Sequence, residues 1–382
     1  MTILFTLLLC IDALVACIVS ELWIRTFIPV KNICYYHDRT LGDMFCPQQH
    51  TYGYVEPGYS NIFINNSLGF HDIERIKEKK AGLLRVHIYG DSMIAGAGVA
   101  VTQTIPSFLE KYFNMHFPAQ PIEAVNMASA EDSTGSELLI YRHIGRAFNP
   151  DVVIVYFMND FHDNIFETHP RTRSPFFELD SNGRLIFIAP KPVNTNSAWE
   201  RFKRWSLLYR LLANKFLGSK LYHDANSTIL NLRYQVLGKK EKIKGNHLKA
   251  LQIRHQFLRE KAWPVTTALL KTFRDDVEKD GAHFILIDGF PITPTSAGGY
   301  INKDLARFCQ QNNITYIPMY KEYQKLKSTV DKVKYFFQDS HPTPTGNQKL
   351  SKILTLKLAP LLRAYSKCAV KKTHQQNKRI KH

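Results

Sequence analysis

The stretch that decides the fold reads Arg85-Val-His-Ile-Tyr-Gly90-Asp91-Ser92-Met93. Its branched and aromatic residues stop abruptly at Gly-Asp-Ser, a pattern that predicts a buried strand ending in a tight turn. In open α/β sheets ligands collect at the carboxyl ends of the strands, so the Ser92 hydroxyl is a candidate nucleophile there. The alternative is a turn in which Asp91 and Ser92 only cap the next helix.

Other short apolar runs of the same kind recur along the chain and indicate further strands. Together with Val86–Tyr89 they are Ile122–Val125, Val152–Phe157, Phe284–Ile287 and Ile314–Ile317. Segments that suit crossover helices lie between them, at Thr104–Phe113, Ser136–Phe148 and Asn302–Gln311. Strands that alternate with helices predict an α/β fold in which helices cover both faces of a five-stranded parallel sheet.

The N-terminal segment is strongly apolar, with only two polar residues between positions 3 and 19. A helix of about 20 apolar residues spans a bilayer, so residues 1–25 are predicted to be a transmembrane anchor with Trp23 and Arg25 at the interface. A cleaved signal peptide is less favoured because no Lys or Arg precedes the apolar run. A lipoprotein signal at Cys17 and a buried core helix are further alternatives.

The formal net charge of +17 favours anionic surroundings such as nucleic acid, acidic lipid headgroups or anionic glycans. Part of this charge is concentrated in residues 367–382, a basic tail without acidic residues that is typical of a disordered, solvated segment. No nucleic-acid-binding motif accompanies the charge. We therefore expect no nucleic-acid partner, and the sequence predicts no oligomeric state.

The six cysteines contain no C-x-x-C motif and no Cys/His cluster at zinc spacing, so neither a metal nor another cofactor is expected. Cys34 and Cys46 could form a disulfide if the domain faces an oxidising compartment. Two free thiols are the equally favoured alternative.

Composition shifts divide the rest of the chain. Residues 26–82 are turn-rich and are predicted to be an irregular lead-in, and residues 83–366 form the main domain. A long insertion, about residues 171–265, separates the third and fourth strands. It opens with a predicted hairpin that turns at Asp180-Ser-Asn-Gly183 and continues with helical segments. This insertion could form a lid beside the site or only a decorated surface.

A serine nucleophile needs a base and donors for the developing oxyanion. His341 differs from the other histidines because Asp339 lies two residues before it and a proline follows, which favours an extended backbone. Asp339 could then orient the imidazole as the acid of a triad does. Asn159 ends the third strand, which places its amide at the same sheet edge as Ser92. Turn and cap roles are the alternative for each of these residues.

Taken in order, these motifs resemble the SGNH/GDSL family of serine hydrolases, and in particular its membrane-anchored bacterial members. The four matching blocks are Gly90-Asp91-Ser92, the stretch Val125–Thr134, Asn159-Asp160 and Asp339-x-His341-Pro342. The resemblance covers residues 83–358. It implies a flavodoxin-like three-layer α/β/α fold with Ser92 after the first strand of the sheet.

The resemblance also implies a role for each matched residue. Ser92 would be the nucleophile and would donate its backbone N–H to the oxyanion, and the Asn159 amide would be a second donor. His341 would be the base, oriented by Asp339. Glu131 stands where the second block usually has a glycine that supplies a third backbone N–H, and any residue other than proline can supply that donor.

The family and the predicted anchor together imply a membrane-bound ester hydrolase or O-acyltransferase with its domain outside the cytoplasm. The implied substrates are O-acyl esters, including O-acetyl esters, of an envelope glycan or lipid. The alternative is a catalytically inactive SGNH-like scaffold that binds an anionic envelope glycan through its basic surface. A glutamate at position 131, beside a developing negative charge, favours that alternative.

Overall fold

The computed structural model describes most of the chain, in two compact units. The first unit comprises Met1–Asn32 and Pro192–Ile253, and the second comprises Ile33–Lys191 and Arg254–His382. The described residues within them are 2–27, 35–48, 50–56, 59–96, 98–129, 132–165, 174–190, 197–209, 212, 254–292, 299–337 and 340–379.

The described elements alternate between strands and helices along the main domain, as predicted. The strands are β1 (Tyr35–Asp38), β2 (Gly42–Phe45), β3 (His50–Glu56), β4 (Tyr59–Ile64), β5 (Leu84–Tyr89), β6 (Ile122–Asn126), β7 (Val152–Phe157), β8 (Phe176–Leu179), β9 (Leu185–Ile188), β10 (His283–Asp288) and β11 (Thr315–Pro318). The helices are α1 (Thr2–Phe27), α2 (Ser92–Ala95), α3 (Ile105–His116), α4 (Thr134–His143), α5 (Ala198–Trp205), α6 (Trp263–Lys279), α7 (Asn302–Gln311), α8 (Tyr320–Lys327), α9 (Lys332–Tyr335) and α10 (Pro344–Arg379).

The central sheet of the second unit has the order β11-β10-β7-β5-β6 and is parallel throughout. Numbered along the chain, its five strands therefore run 2-1-3-4-5, which is the flavodoxin-like order. This confirms the predicted fold class. The topological switch point lies between β5 and β7. From β5 the chain continues to β6 at one edge of the sheet, whereas the strands that follow β7 extend toward the opposite edge.

The two faces of β5 are both buried, as its mostly apolar run predicted. Val86 and Ile88 point into a core that α3 and α10 cover. Tyr89 points to the other face, where its ring lies 5.5 Å from Phe273 of α6 and 6.3 Å from Tyr141 of α4. Successive side chains of a strand alternate between faces, so one apolar strand supplies both layers.

Part of the lead-in that was predicted to be irregular forms two antiparallel hairpins, β1–β2 and β3–β4. Phe45 and Phe63 extend from these hairpins into the core of the second unit, with their ring centroids 5.1 Å apart. Strand length does not distinguish these hairpins from the central strands, since β3 has seven residues and β11 has four. Their pairing depends on contacts with the core, which the local sequence does not display.

Cys46 takes part in a disulfide, whereas Cys10, Cys17 and Cys309 are free. The alternative in which Cys46 is a free thiol is therefore wrong. Cys34 lies outside the described residues, so its pairing with Cys46 stays a prediction.

The opening of the insertion is the predicted hairpin. Strands β8 and β9 pair antiparallel, and Asp180 Oδ1 accepts hydrogen bonds of 2.8 Å from the backbone N–H groups of Asn182 and Arg184. Gly183 adopts the left-handed conformation that the turn requires, with φ at 75°. Most of the remaining insertion, residues 213–253, lies outside the described residues.

The sequence predicts a last helix that starts at Thr343, which can cap it, and ends near Leu358, because Pro360 disrupts any continuation. The observed helix starts there but continues farther. Thr343 Oγ1 accepts a hydrogen bond of 3.2 Å from the N–H of Gly346, so it caps α10, and Pro344 occupies the first turn. The sequence predicted an end near Leu358 and a disordered tail from residue 367, but α10 runs through Pro360 to Arg379. Leu358 and Leu362 pack into the core on either side of Pro360 and hold the helix across it.

Helix α1 belongs to the first unit and contains the stretch Phe5–Phe27, which has a mean hydropathy of 2.3. Its length and composition suffice to cross a membrane, and they also suit a signal sequence.

Candidate active site

Ser92 lies at the carboxyl end of β5, as the first residue of α2. The side chain of Asp91 caps this helix, because its Oδ1 accepts a hydrogen bond of 2.9 Å from the Met93 N–H. The two interpretations of the Gly-Asp-Ser turn therefore apply to different residues. Asp91 is the helix cap, and the Ser92 hydroxyl lies within hydrogen-bond reach of a histidine.

Gly90 allows the tight approach of this turn to the core. A Cβ at position 90 would lie 2.6 Å from Ile94 Cγ1 and 3.4 Å from Tyr156 Cβ. Both neighbours are buried, so neither side chain can move away into solvent. The backbone needs glycine here because the turn folds directly onto its own helix.

We expect Gly90→Ala to lower the free energy of unfolding by about 1–3 kcal/mol, because an added methyl overpacks the core against Ile94. Urea unfolding of the variant and the wild type, followed by circular dichroism, measures this change. An unchanged midpoint would mean that α2 has room to shift, and that Gly90 does not constrain the position of Ser92.

His341 is brought to Ser92 from 249 positions away in the chain. Its Nε2 lies 2.7 Å from Ser92 Oγ, the distance of a strong hydrogen bond. The loop that carries it is firmly held: the His341 carbonyl accepts a bond of 2.8 Å from the Phe337 N–H. Ser340 has a left-handed backbone with φ at 75°, and its carbonyl accepts a bond of 3.1 Å from the Tyr323 hydroxyl. The imidazole is thus positioned before substrate arrives.

Asn159 follows β7 and therefore lies across the switch point from the end of β5. Its backbone is left-handed, with φ at 78°, which asparagine tolerates better than most residues. Its Oδ1 is buried and has no hydrogen-bond partner among the described residues. This side-chain amide oxygen is therefore not committed to holding the loop together.

Other side chains hold the Asn159 loop in place. Thr134 Oγ1 donates a hydrogen bond of 2.9 Å to Asp160 Oδ2, which ties the loop to the start of α4. Asn164 is fully buried, accepts a bond of 3.0 Å from the Gly135 N–H and donates one of 3.0 Å to Thr266 Oγ1. Its bridging role requires knowing that α4 and α6 pack side by side.

A group of carboxyl groups lies behind the serine, and sequence reasoning missed its electrostatic effect. Burial raises the pKa of Asp91 to about 6, although the Met93 N–H and the charge of His341 act in the opposite direction. Burial also raises the pKa of Asp160 well above its usual range, and the charges of Asp91 and Asp163 add to that effect. The pKa of Glu137 is raised for the same reasons, by burial first and then by Asp160. Burial therefore disfavours the charged forms of both Asp160 and Glu137.

Asp91 is the member of this group whose ionisation should affect catalysis, because its charge interacts with His341. Its carboxyl is neutral below a pH of about 6 and negative above it. A negative Asp91 would stabilise an imidazolium at His341 if that residue accepts the serine proton. The pair should therefore work better as the pH rises through this value.

We expect Asp91→Asn to lower kcat/KM about tenfold near pH 8 and to have little effect near pH 5, where the native carboxyl is already neutral. The Asn side chain retains an acceptor for the Met93 N–H, so the helix cap is preserved. Ester hydrolysis by the variant and the wild type, measured between these two pH values, gives the ratio of their kcat/KM values at each pH. A ratio that stays constant with pH would contradict an electrostatic role for Asp91.

Two residues predicted for this site, Glu131 and Asp339, lie outside the described residues. Their roles as backbone oxyanion donor and as the acid behind His341 stay predictions. Of the predicted site, the structure brings Ser92 and His341 into contact and places Asn159 on the neighbouring strand end.

No family model matches the sequence, and no curated protein matches it either. Solved structures of similar architecture include one titled TesA, at 11% identity and a TM-score of 0.38, over 72% of this chain and 99% of that one. Another is a lipase/acylhydrolase from Enterococcus faecalis, at 11% identity and a TM-score of 0.36, over 72% and 95% of the two chains. A third is the acetyl xylan esterase AlAXEase, at 11% identity and a TM-score of 0.37, over 72% and 99%.

The strand order and the position of Ser92 after the first strand of the sheet were both predicted from the motifs. The described chain has a flavodoxin-like parallel sheet with Ser92 directly after its first strand, and the solved structures that it resembles include a lipase/acylhydrolase and an acetyl xylan esterase.

Proposed function

We propose that this protein is a serine ester hydrolase that works through an acyl-enzyme on Ser92. The observation that carries the proposal is the 2.7 Å distance between Ser92 Oγ and His341 Nε2. A serine hydroxyl is a weak nucleophile until a base removes its proton, and an imidazole nitrogen at this distance can do so.

In the proposed first step, Ser92 Oγ attacks the ester carbonyl carbon while its proton moves to His341 Nε2. The carbonyl oxygen becomes an oxyanion, to which the Ser92 backbone N–H and the Asn159 side-chain amide donate hydrogen bonds. The tetrahedral intermediate then breaks the bond to the alcohol oxygen, and His341 returns the proton to that oxygen. In the second step His341 deprotonates a water molecule, which attacks the acyl carbon. The bond between that carbon and Ser92 Oγ then breaks, and His341 returns the proton to Oγ as the acid is released.

The order of these events agrees with the electrostatics of the site. In this mechanism the proton that His341 takes up gives it a positive charge between the two transfers, and the Asp91 carboxylate stabilises that charge above a pH of about 6. Asp339 would provide a second negative charge if it lies where its spacing predicts.

For the substrate we propose an O-acyl ester, such as an O-acetyl ester, on an envelope glycan or lipid. Two observations support an extracytoplasmic location beside a membrane. Helix α1 is long and apolar enough to span a bilayer, and Cys46 is disulfide-bonded, which is typical of oxidising compartments. An O-acyltransferase would use the same acyl-enzyme and replace the attacking water with a sugar hydroxyl.

Covalent labelling tests the proposal on the full-length protein in detergent. A fluorophosphonate should abolish hydrolysis of p-nitrophenyl acetate and add one phosphonyl group, which peptide mass spectrometry should locate on Ser92. Labelling should be prevented by prior denaturation, because only the folded site brings His341 to the serine. Labelling at another residue, or full activity after Ser92 is labelled, would exclude the proposed mechanism.

A further inference from the structure

The first unit contains a buried acidic residue where a membrane-crossing helix would end. Glu21 of α1 is 6% exposed, and Ile24 on the same face is 4% exposed. The neighbouring Leu22 and Trp23 are 60% and 55% exposed. One narrow face of α1 is therefore covered by protein, while the rest of its apolar surface is free.

The covering residues come from the insertion, about 185 positions later in the chain. The Glu21 carboxylate accepts hydrogen bonds of 2.9 Å from the Ser206 hydroxyl and from the backbone N–H groups of Leu207 and Leu208. Arg25, one turn farther along α1, pairs with Glu21 at 2.8 Å and donates to the Trp205 carbonyl at 2.5 Å. A buried carboxylate is costly unless it is paired and hydrogen-bonded, and this one is both.

Helix α5, which leads into this contact, presents an aromatic face. Trp199, Phe202 and Trp205 recur at every third position and lie on one side of the helix. They are 56%, 44% and 62% exposed, although charged residues make up most of the remaining helix. The Arg25 guanidinium lies 4.9 Å from the centre of the Trp205 ring. A contiguous group of exposed large aromatic side chains is rare on a surface that faces only water.

We propose that α5 is an interfacial membrane element, fixed to the end of a membrane-spanning α1 through Glu21 and Arg25. Trp199, Phe202 and Trp205 then lie in the boundary between lipid headgroups and acyl chains. The apolar surface of α1 supports this partner, since it is exposed along the span and includes Trp23 and Phe27 near the end that contacts α5. Tryptophan is enriched at this depth of a bilayer, and Arg25 can contact lipid phosphates there.

The same contacts imply that α1 is retained in the mature protein. Cleavage after Glu21 would leave the Ser206 hydroxyl and two backbone N–H groups of a buried turn without their acceptor. Unlike a cleaved leader, α1 is part of the folded first unit. This inference does not depend on the esterase activity, because none of its residues belongs to the candidate active site.

Fluorescence quenching by lipid tests the position of α5. The full-length protein with Trp23→Phe and Trp263→Phe retains only Trp199 and Trp205, and it is reconstituted into phosphatidylcholine–phosphatidylglycerol vesicles. Lipid brominated near the headgroup should quench about half or more of the emission, and lipid brominated at the acyl terminus should quench much less. Equal emission in brominated and unbrominated vesicles would overturn the proposal.

A matched pair of variants tests the link to α1. Glu21→Leu and Asp12→Leu each remove one carboxylate from the same helix, but only Glu21 contacts the insertion. In vesicles, trypsin should cut at Arg201, Lys203 or Arg204 about tenfold faster in Glu21→Leu than in the wild type. The variant lacks the charge-assisted hydrogen bonds to Glu21, so α5 is detached from α1 in a larger fraction of the molecules. Asp12→Leu should behave like the wild type. Equal cleavage rates for the two variants would overturn the link.

The mass of the membrane-extracted protein tests the retention of α1 directly. We expect a chain that still contains residues 1–27 and stays in the membrane pellet after alkaline carbonate washing. A mature protein that begins after Glu21 would overturn the proposal regardless of its activity. Loss of esterase activity in a protein that passes these tests would count against the proposed function alone.

Discussion

Replacement of Ser92 by alanine is expected to lower kcat for p-nitrophenyl acetate by about 10⁴ to 10⁶, the largest effect of any single change considered. The variant loses the atom that forms the acyl bond, and no neighbouring group can replace it. What remains is the smaller rate increase that substrate binding and the oxyanion donors supply without a nucleophile. Stopped-flow or steady-state release of p-nitrophenol by the full-length protein measures the loss.

The interpretation requires that Ser92→Ala stays folded, and the structure predicts that it does. Asp91, and not Ser92, caps α2, so the variant removes only the bond to His341. Ser328→Ala is a suitable control, since it deletes an exposed serine hydroxyl that only bonds the Lys325 carbonyl at 3.0 Å. If Ser92→Ala keeps the wild-type rate, the nucleophile is misassigned, and an inactive scaffold that binds an anionic glycan becomes the better hypothesis.

Replacement of Asn159 by alanine is expected to lower kcat by about 10² to 10³ with little change in KM, because an oxyanion donor bonds its acceptor fully only in the transition state. The amide oxygen of Asn159 has no hydrogen-bond partner among the described residues, so the variant breaks no bond that holds the loop through this atom. Separate measurement of kcat and KM distinguishes this from weaker substrate binding, which would raise KM.

The left-handed backbone at Asn159 calls for a second variant. Alanine is strained at a φ of 78°, at a cost of about 1–2 kcal/mol, so Asn159→Ala could act by shifting the loop. Asn159→Gly removes the same amide without that strain. Similar losses of kcat in both variants would attribute the effect to the amide. A loss of less than a few-fold in Asn159→Gly would remove Asn159 from the mechanism.

The strand assignments show which elements local sequence patterns can predict and which they cannot. A parallel sheet covered on both faces needs strands that are apolar at most positions, and such runs are visible in sequence because residues on both faces of the strand are buried. The hairpins of the lead-in were missed because their pairing depends on contacts with the core that the local sequence does not display. The continuation of α10 through Pro360 was missed for a related reason. Its stability comes from Leu358 and Leu362 in the core, and not from local helix preference.

Some features of the candidate site likewise follow from local sequence, and others depend on how the chain packs. Asp91, Ser92 and Asn159 stand directly after apolar strands, so their positions at one sheet edge follow from the sequence of each segment and the rule that parallel strands end together. The raised pKa of Asp91 does not, because it results from burial against groups that α4 and the Asn159 loop bring near. Likewise, no local pattern links Glu21 to Ser206.

By itself, the sequence determined the five-stranded parallel sheet, the Gly-Asp-Ser turn, the apolar N-terminal helix and the capped start of the last helix. Each of these depends on the periodicity or the turn chemistry of a short segment. Only the tertiary structure decided that His341 Nε2 meets Ser92 Oγ, that buried carboxyl groups surround Asp91, and that the insertion binds the end of α1. Those features are contacts between distant segments, and their distances and burial arise only when the chain packs.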